Sequence, residues 1–222
     1  MQQTRGAMAR AGAHPDAASL IPAGATLVQL RVAVQDCRGC ELYRNATQAV
    51  LGEGPSTARV VMIGEEPGDK EDLAGRPFVG PAGHLLDRAL DEAGFDRNDV
   101  YLTNAVKHFK FEERGKRRIH KKPSSVEIVA CRPWLDAELA CIHPELIVCL
   151  GATAAQAVIG RQHRVLKDRG RFFDFPGGGL VTATVHPSAI LRAPDSEQRH
   201  RDYAAFVRDL KKAHEALDRR SR

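Results

Sequence analysis

The sequence has few aromatic residues, 5% of its 222 positions, and no long apolar run. No stretch approaches the roughly 18 apolar residues of a membrane span, so no membrane partner is expected. The opening segment, MQQTRGAMARAGAHPDAAS, lacks the apolar core of a secretory signal, which points to a cytoplasmic chain. Five cysteines is an odd number, and a cytoplasmic chain keeps its thiols reduced. A disulfide framework therefore accounts for them poorly, and metal ligation accounts for them better. Two catalytic signatures are also missing: the GxxxxGK[ST] of phosphate-binding loops and the GxSxG of serine hydrolases.

Hydrophobic residues make up 43% of the chain and charged residues 27%, enough to build a core. The net charge of +5 is unevenly placed. Residues 107–122, KHFKFEERGKRRIHKK, hold eight Lys/Arg against two Glu, and residues 199–222 hold eight against four acids. The remainder is net acidic. A basic segment on an acidic body suits a polyanion, above all nucleic acid, although a solvated charged loop has the same composition.

Residues 1–26, rich in Ala and Gly, are expected to form a poorly ordered leader, and 27–218 a single domain. Four short β-branched segments predict buried strands: Arg59–Gly64, Val100–Val106, Leu146–Gly151 and Leu180–Val185. Helical patterns separate them. Pro81 opens one helix, with Leu85, Leu86, Ala89, Leu90 and Ala93 on one face and Gly94 as its stop. Ser124–Glu127 forms a capping box for a second, which Pro133 should kink. A third helix comes after Gly151, and a last one runs from about Arg199 to Leu217. The expected fold is α/β: one three-layer domain whose central, mainly parallel four-stranded sheet has helices on both faces. Functional residues should then lie just past the strand ends.

Three groups of residues are suited to chemistry. Cys37-Arg-Gly-Cys40 offers two thiols from one turn, suited to zinc or an iron–sulfur cluster. Further ligands would come from Cys131, Cys141, Cys149, His108 and His143, with Cys149 and Cys141 better explained by packing. Gly64-Glu-Glu-Pro-Gly-Asp69 sets carboxylates in a tight turn after a strand, as a base, a stabiliser of positive charge or metal ligands would need; a turn with solvated acids is the plain alternative. His186-Pro-Ser188 places a histidine at another strand end, where by itself it also fits a helix entry with a satisfied ring.

Together, GEEPGDKEDLAGRPFVGPAG, LTNAVK and HPS resemble the uracil–DNA glycosylase superfamily, over about Leu27 to Leu217. The resemblance is to its iron–sulfur, family-four branch, and within that to the UdgX type, marked by an inserted basic loop ending in Lys116-Arg117-Arg118-Ile119-His120. It implies a [4Fe–4S] cluster on Cys37, Cys40, His108 and Cys131, His108 standing where ordinary family-four enzymes have a cysteine. It implies that Phe78 stacks on a flipped uracil, Asn104 reads its polar edge, and His186 bonds its O2 as charge develops. Glu65 and Asp72 would activate or orient the nucleophile, which in this type is His120, attacking the sugar C1′ and staying bonded to the DNA. Gly64, Glu66, Asp69, Lys116, Arg117, Arg118, Ser188 and Arg192 would contact substrate or DNA. The implied partner is uracil-containing DNA, single-stranded or duplex, bound by a monomer associated with the nucleoid.

The chain departs from the pattern at one position. Where the UdgX-type motif has GEQPGD, it has Glu66. Glutamine donates a hydrogen bond and an ionised glutamate does not. Two adjacent acids also raise one another's pKa.

Overall fold

The computed structural model describes residues 16–220. Three parallel strands of its main sheet end beside turns that carry Gly, acid or His. β1 (Val60–Gly64), β2 (Val100–Asn104), β5 (Leu146–Leu150) and β7 (Leu180–Thr184) run parallel, and β6 (Phe172–Asp174) pairs antiparallel with β7 at one edge. The order is β2-β1-β5-β7-β6, a five-stranded sheet in place of the expected four. β6 escapes the pattern because its three residues are too short a run for alternation to show. At the opposite edge the backbone of Glu53 exchanges both hydrogen bonds with Leu102 at 2.8 Å, which covers β2 against stray pairing.

Alternate residues of the strands feed two cores. Val60, Met62, Leu102 and Val148 pack with α3 (Pro81–Ala93), α7 (Pro187–Leu191) and α8 (Ser196–Arg220). Val61, Ile63, Ile147 and Cys149 pack with α4 (Ser125–Ile142), α5 (Ala152–Val158) and α6 (Val165–Asp168). The α3 face is the one expected, and its C-cap is Gly94. α4 carries the capping box of Ser124 and Glu127 and spans Pro133 as one element.

The leader expectation does not hold for residues 16–26. Ala17–Leu20 form a 3₁₀ turn, and Ala17 is buried in a third core with Leu30 of α1 (Leu27–Ala33), Cys37, Cys131 and Trp134. Residues 1–15 lie outside the described residues. The expected basic loop is a hairpin: β3 (Phe111–Arg114) pairs antiparallel with β4 (Arg117–His120) through a two-residue Gly115-Lys116 turn. This hairpin forms its own two-stranded sheet. α2 (Asp69–Ala74) sits between β1 and the hairpin, with Asp69 and Asp72 in its first turn.

Candidate active site

The order β2-β1-β5 means that the chain crosses from β2 over β1 to reach β5, so the crevice at the carboxyl ends of β1 and β5 is a topological switch point. A cleft of about 860 Å³ opens there. Glu65 and Glu66 enter it from the end of β1, Asn104 from β2, His186 and Ser188 from the end of β7, and His120 from the hairpin.

The cleft floor is a slot shaped by a missing side chain. A Cβ on Gly64 would lie 2.3 Å from Asn104 Oδ1 and 2.8 Å from Phe78 Cζ. Gly64 thus leaves the space between an amide and an aromatic ring. Phe78 is held at φ 56°, a left-handed conformation costly for a bulky residue, and Gly83 of α3 lets the backbone close over its carbonyl. The Phe78 ring lies nearly parallel to His186, centroids 6.2 Å apart. Asn104 is 3% exposed, and among the described residues no hydrogen bond occupies its side-chain amide. Its backbone carbonyl accepts from Lys107 Nζ at 2.6 Å. That ammonium is wholly buried in an ion pair with Glu138 at 2.5 Å, and Glu138 also accepts from Tyr101, Thr103 and the Gly52 N–H.

His186 Nδ1 accepts the Ser188 N–H at 3.1 Å, which puts the ring proton on Nε2. Burial, with Arg192 nearby, lowers its pKa to about 4, so the ring is a neutral donor. Burial likewise lowers the His120 pKa; Arg192 adds to this and Glu65 opposes it. The neighbouring hairpin cations are not a cause. Lys121 is paired with Glu112, and Arg118 points to α2.

Two acids meet His120. Its Nε2 lies 3.1 Å from Glu66 Oε1 and 3.8 Å from Glu65 Oε1. Glu65 also bonds the hydroxyl of Thr153, a residue that motif reading passed over although it lies just past β5 at the switch point. Glu66 is the more enclosed acid. Burial, reinforced by the charge of Glu65, pushes its carboxyl up to about 10. Its Oε1 accepts the Lys110 N–H at 3.3 Å, and Oε2 is buried with no partner among the described residues.

Four expected contact residues lie off the cleft. Arg118 Nε reaches Asp69 at 2.6 Å, its Nη1 reaches Asp72 at 2.6 Å, and its guanidinium stacks over Phe109 and Phe111. Asp72, fully buried, also takes the Thr47 N–H. Asp72 therefore meets neither His120 nor solvent, and Asp69, though partly exposed, is engaged by Arg118: the two clamp the hairpin two residues before His120. Lys116 and Arg117 are exposed at the turn and, among the described residues, no ion pair engages them. Arg192 is exposed on the cleft rim.

Three of the four metal ligands implied by the resemblance, Cys37, Cys40 and Cys131, lie in the third core. Cys37, Cys40 and Cys131 lie close enough for each thiol charge to act on Cys131, and none is in a disulfide. Trp134 Nε1–H donates to Cys37 Sγ and the Lys107 N–H to Cys131 Sγ, both at 3.2 Å; such N–H···S bonds are ones that tune iron–sulfur centres. His108 is 4% exposed, neutral because burial lowers its pKa to about 4, and among the described residues its ring makes no hydrogen bond. Three thiols and an imidazole are donor types that an iron–sulfur cluster accepts. They are not drawn together as a single-ion site: no such group occurs among the described residues. Cys149 lies inside β5, and Cys141 donates to the Ala25 carbonyl, so both are packing residues.

An aromatic ring, an unpaired amide and a neutral histidine around an empty slot, with acids and an imidazole above it, suit a flat heterocycle joined to a sugar. This defines an α/β protein that handles a nucleobase. The chain belongs to the uracil DNA glycosylase superfamily, whose family model matches residues 51–211. It is 40% identical to a type-4 uracil-DNA glycosylase of Thermotoga maritima over 81% of this chain and 88% of that one. A type-4 uracil-DNA glycosylase of Saccharolobus solfataricus is 35% identical over 83% of each. A type-5 uracil-DNA glycosylase of Pyrobaculum aerophilum is 29% identical over 74% of this chain and 76% of that one. No helix among the described residues is long and apolar enough to cross a membrane.

Proposed function

We propose that this chain removes uracil from DNA and then captures the abasic sugar on His120. The observation behind the first part is the slot. Asn104 offers a donor and an acceptor to the O4 and N3–H of uracil, and cytosine presents the reverse pattern. Uracil would enter against Phe78, out of the base stack, where stacking is worth about 1–3 kcal/mol. The His186 Nε2–H would bond O2 as the C1′–N1 bond breaks and its electron pair leaves with the base. Glu65 would face the positive charge left on the sugar.

The second part rests on His120, a neutral imidazole on the cleft wall. Its lone pair would form the new bond to C1′, and its ring proton would pass to Glu65 or to the departing uracil anion. Lys116, Arg117 and Arg192 would hold phosphates. Cys37, Cys40, His108 and Cys131 would hold an iron–sulfur cluster, whose role is to tie the N-terminal segment to α4. Purified anaerobically, the protein is expected to be brown and to contain iron and sulfide; colourless protein with stoichiometric zinc contradicts that part.

A turnover enzyme is the second reading. It is favoured by Glu65, which with Thr153 beside it can orient a water at the same sugar, and by the names of the relatives. Uracil-containing single-stranded DNA run on a denaturing gel separates the two. Capture gives a heat-resistant protein–DNA band that His120→Ser abolishes, and turnover gives free uracil and no band.

A further inference from the structure

We propose that Glu66 is a neutral carboxylic acid whose Oε1 accepts the Nε2–H of a neutral His120, so that the imidazole lone pair stays available on Nδ1. The geometry permits two arrangements with the same number of protons: carboxylic acid beside imidazole, or carboxylate beside imidazolium. Their atoms are in hydrogen-bond contact, Oε1 to Nε2 at 3.1 Å. Only the first leaves a nucleophile, because an imidazolium has no lone pair to give.

The surroundings of Glu66 decide between them. Its side chain is fully buried, and Oε2 has no partner among the described residues. An ionised carboxylate there would have an unsolvated oxygen, a state that costs far more than a buried neutral one. The charged groups that face it do not supply a counter-ion. Glu65, from the same turn, is an acid. Lys110, from the segment after β2, offers only its backbone N–H, since its ammonium is held by Glu127 of α4 at 2.8 Å. Arg192, on the rim, acts on His120 and favours the neutral ring. The shift of the Glu66 carboxyl to about 10 agrees with this placement. Glu66 is thus a positioning residue that acts through His120, and Glu65 remains the single charge at the reacting sugar.

The activity arm of the test rests on His120 being the nucleophile, whereas the spectroscopic arm does not. In protein labelled at Glu and His, infrared and ¹⁵N spectra at neutral pH should show a protonated carboxyl that vanishes in Glu66→Gln, together with a neutral His120. A carboxylate at Glu66 with an imidazolium at His120 overturns the proposal whatever the enzyme does. In the activity arm, Glu66→Ala should slow capture by about tenfold to a hundredfold. Glu66→Gln, neutral and of the same shape, should restore it and remove the alkaline limb of the pH profile. Melting adds a check on folding. The raised carboxyl stabilises the fold below its unfolded value of 4.5, and that stabilisation is lost as pH rises toward 10. Glu66→Gln should therefore raise Tm more at pH 8 than at pH 5. A glutamine variant as slow as alanine, or equal Tm gains at both pH values, overturns the proposal.

Discussion

Asn104, Phe78 and His186 are held by the ends of a parallel sheet and its short turns, whereas His120 is held by a hairpin that shares no ladder with that sheet. The slot is fixed by backbone geometry: a glycine where a side chain would clash, a strained Phe78, and a carbonyl gripped by a buried lysine. The hairpin is fixed mainly by one guanidinium between two carboxylates of α2. On the function proposed above, recognition of the base and attack on the sugar depend on different forces, steric fit in one case and charge pairing in the other, and the two should fail separately.

The largest break should come from the slot. Asn104→Ala is expected to slow uracil release roughly a thousandfold, the cost of losing a fixed donor at the reacting group, with the circular dichroism unchanged. Undiminished single-turnover release would take Asn104 out of the site. Arg118→Ala comes next. It strands the buried carboxylate of Asp72 and should cost on the order of 3 kcal/mol in denaturant unfolding. Covalent capture should fall much further than uracil release; equal losses would mean that hairpin and slot are one unit.

A smaller effect is confined to acid pH. His186 has its pKa lowered from 6.5 to about 4 on folding, so the unfolded chain binds more protons between those values. Stability contributed by the neutral ring is present above about 6.5 and is lost as pH falls toward 4. His186→Asn should flatten that slope, by on the order of 2 kcal/mol over the interval, in melts taken at pH 7 and pH 4.5. Least of all, Lys116→Ala with Arg117→Ala should weaken DNA binding a few-fold and lower the salt slope by about one to two. An unchanged slope would place the turn away from phosphate.

Much of the slot was legible because parallel strands announce themselves as short apolar runs, and the residues just past each run must line the crevice. Glu65, Asn104 and His186 were found in that way. Thr153 was open to the same argument, but threonine after a Gly-Ala turn resembles ordinary helix entry. The hairpin was not legible as one, because KFEERGKRRIH has no alternation of apolar and polar residues. Its two faces are both polar, and what fixes it is a pair of aspartates nearly fifty positions earlier in the chain. Arg118 and Asp72 resemble a DNA contact and a catalytic acid until the fold brings them together. For Glu66, sequence alone could say only that an acid replaces an amide. Its enclosure, supplied by β1, the Lys110 backbone and the hairpin, determines what that acid is.

The separateness of β3 and β4 has a consequence for descent. A hairpin that pairs only with itself can be gained or lost without re-registering any strand of the main sheet. Such a gain needs the ten residues 111–120, a turn glycine and an arginine placed opposite two existing acids. The same economy makes residues 111–120 a cassette that can be moved: set into a relative with matching acids in its first turn after β1, they should dock without redesign of the recipient's core.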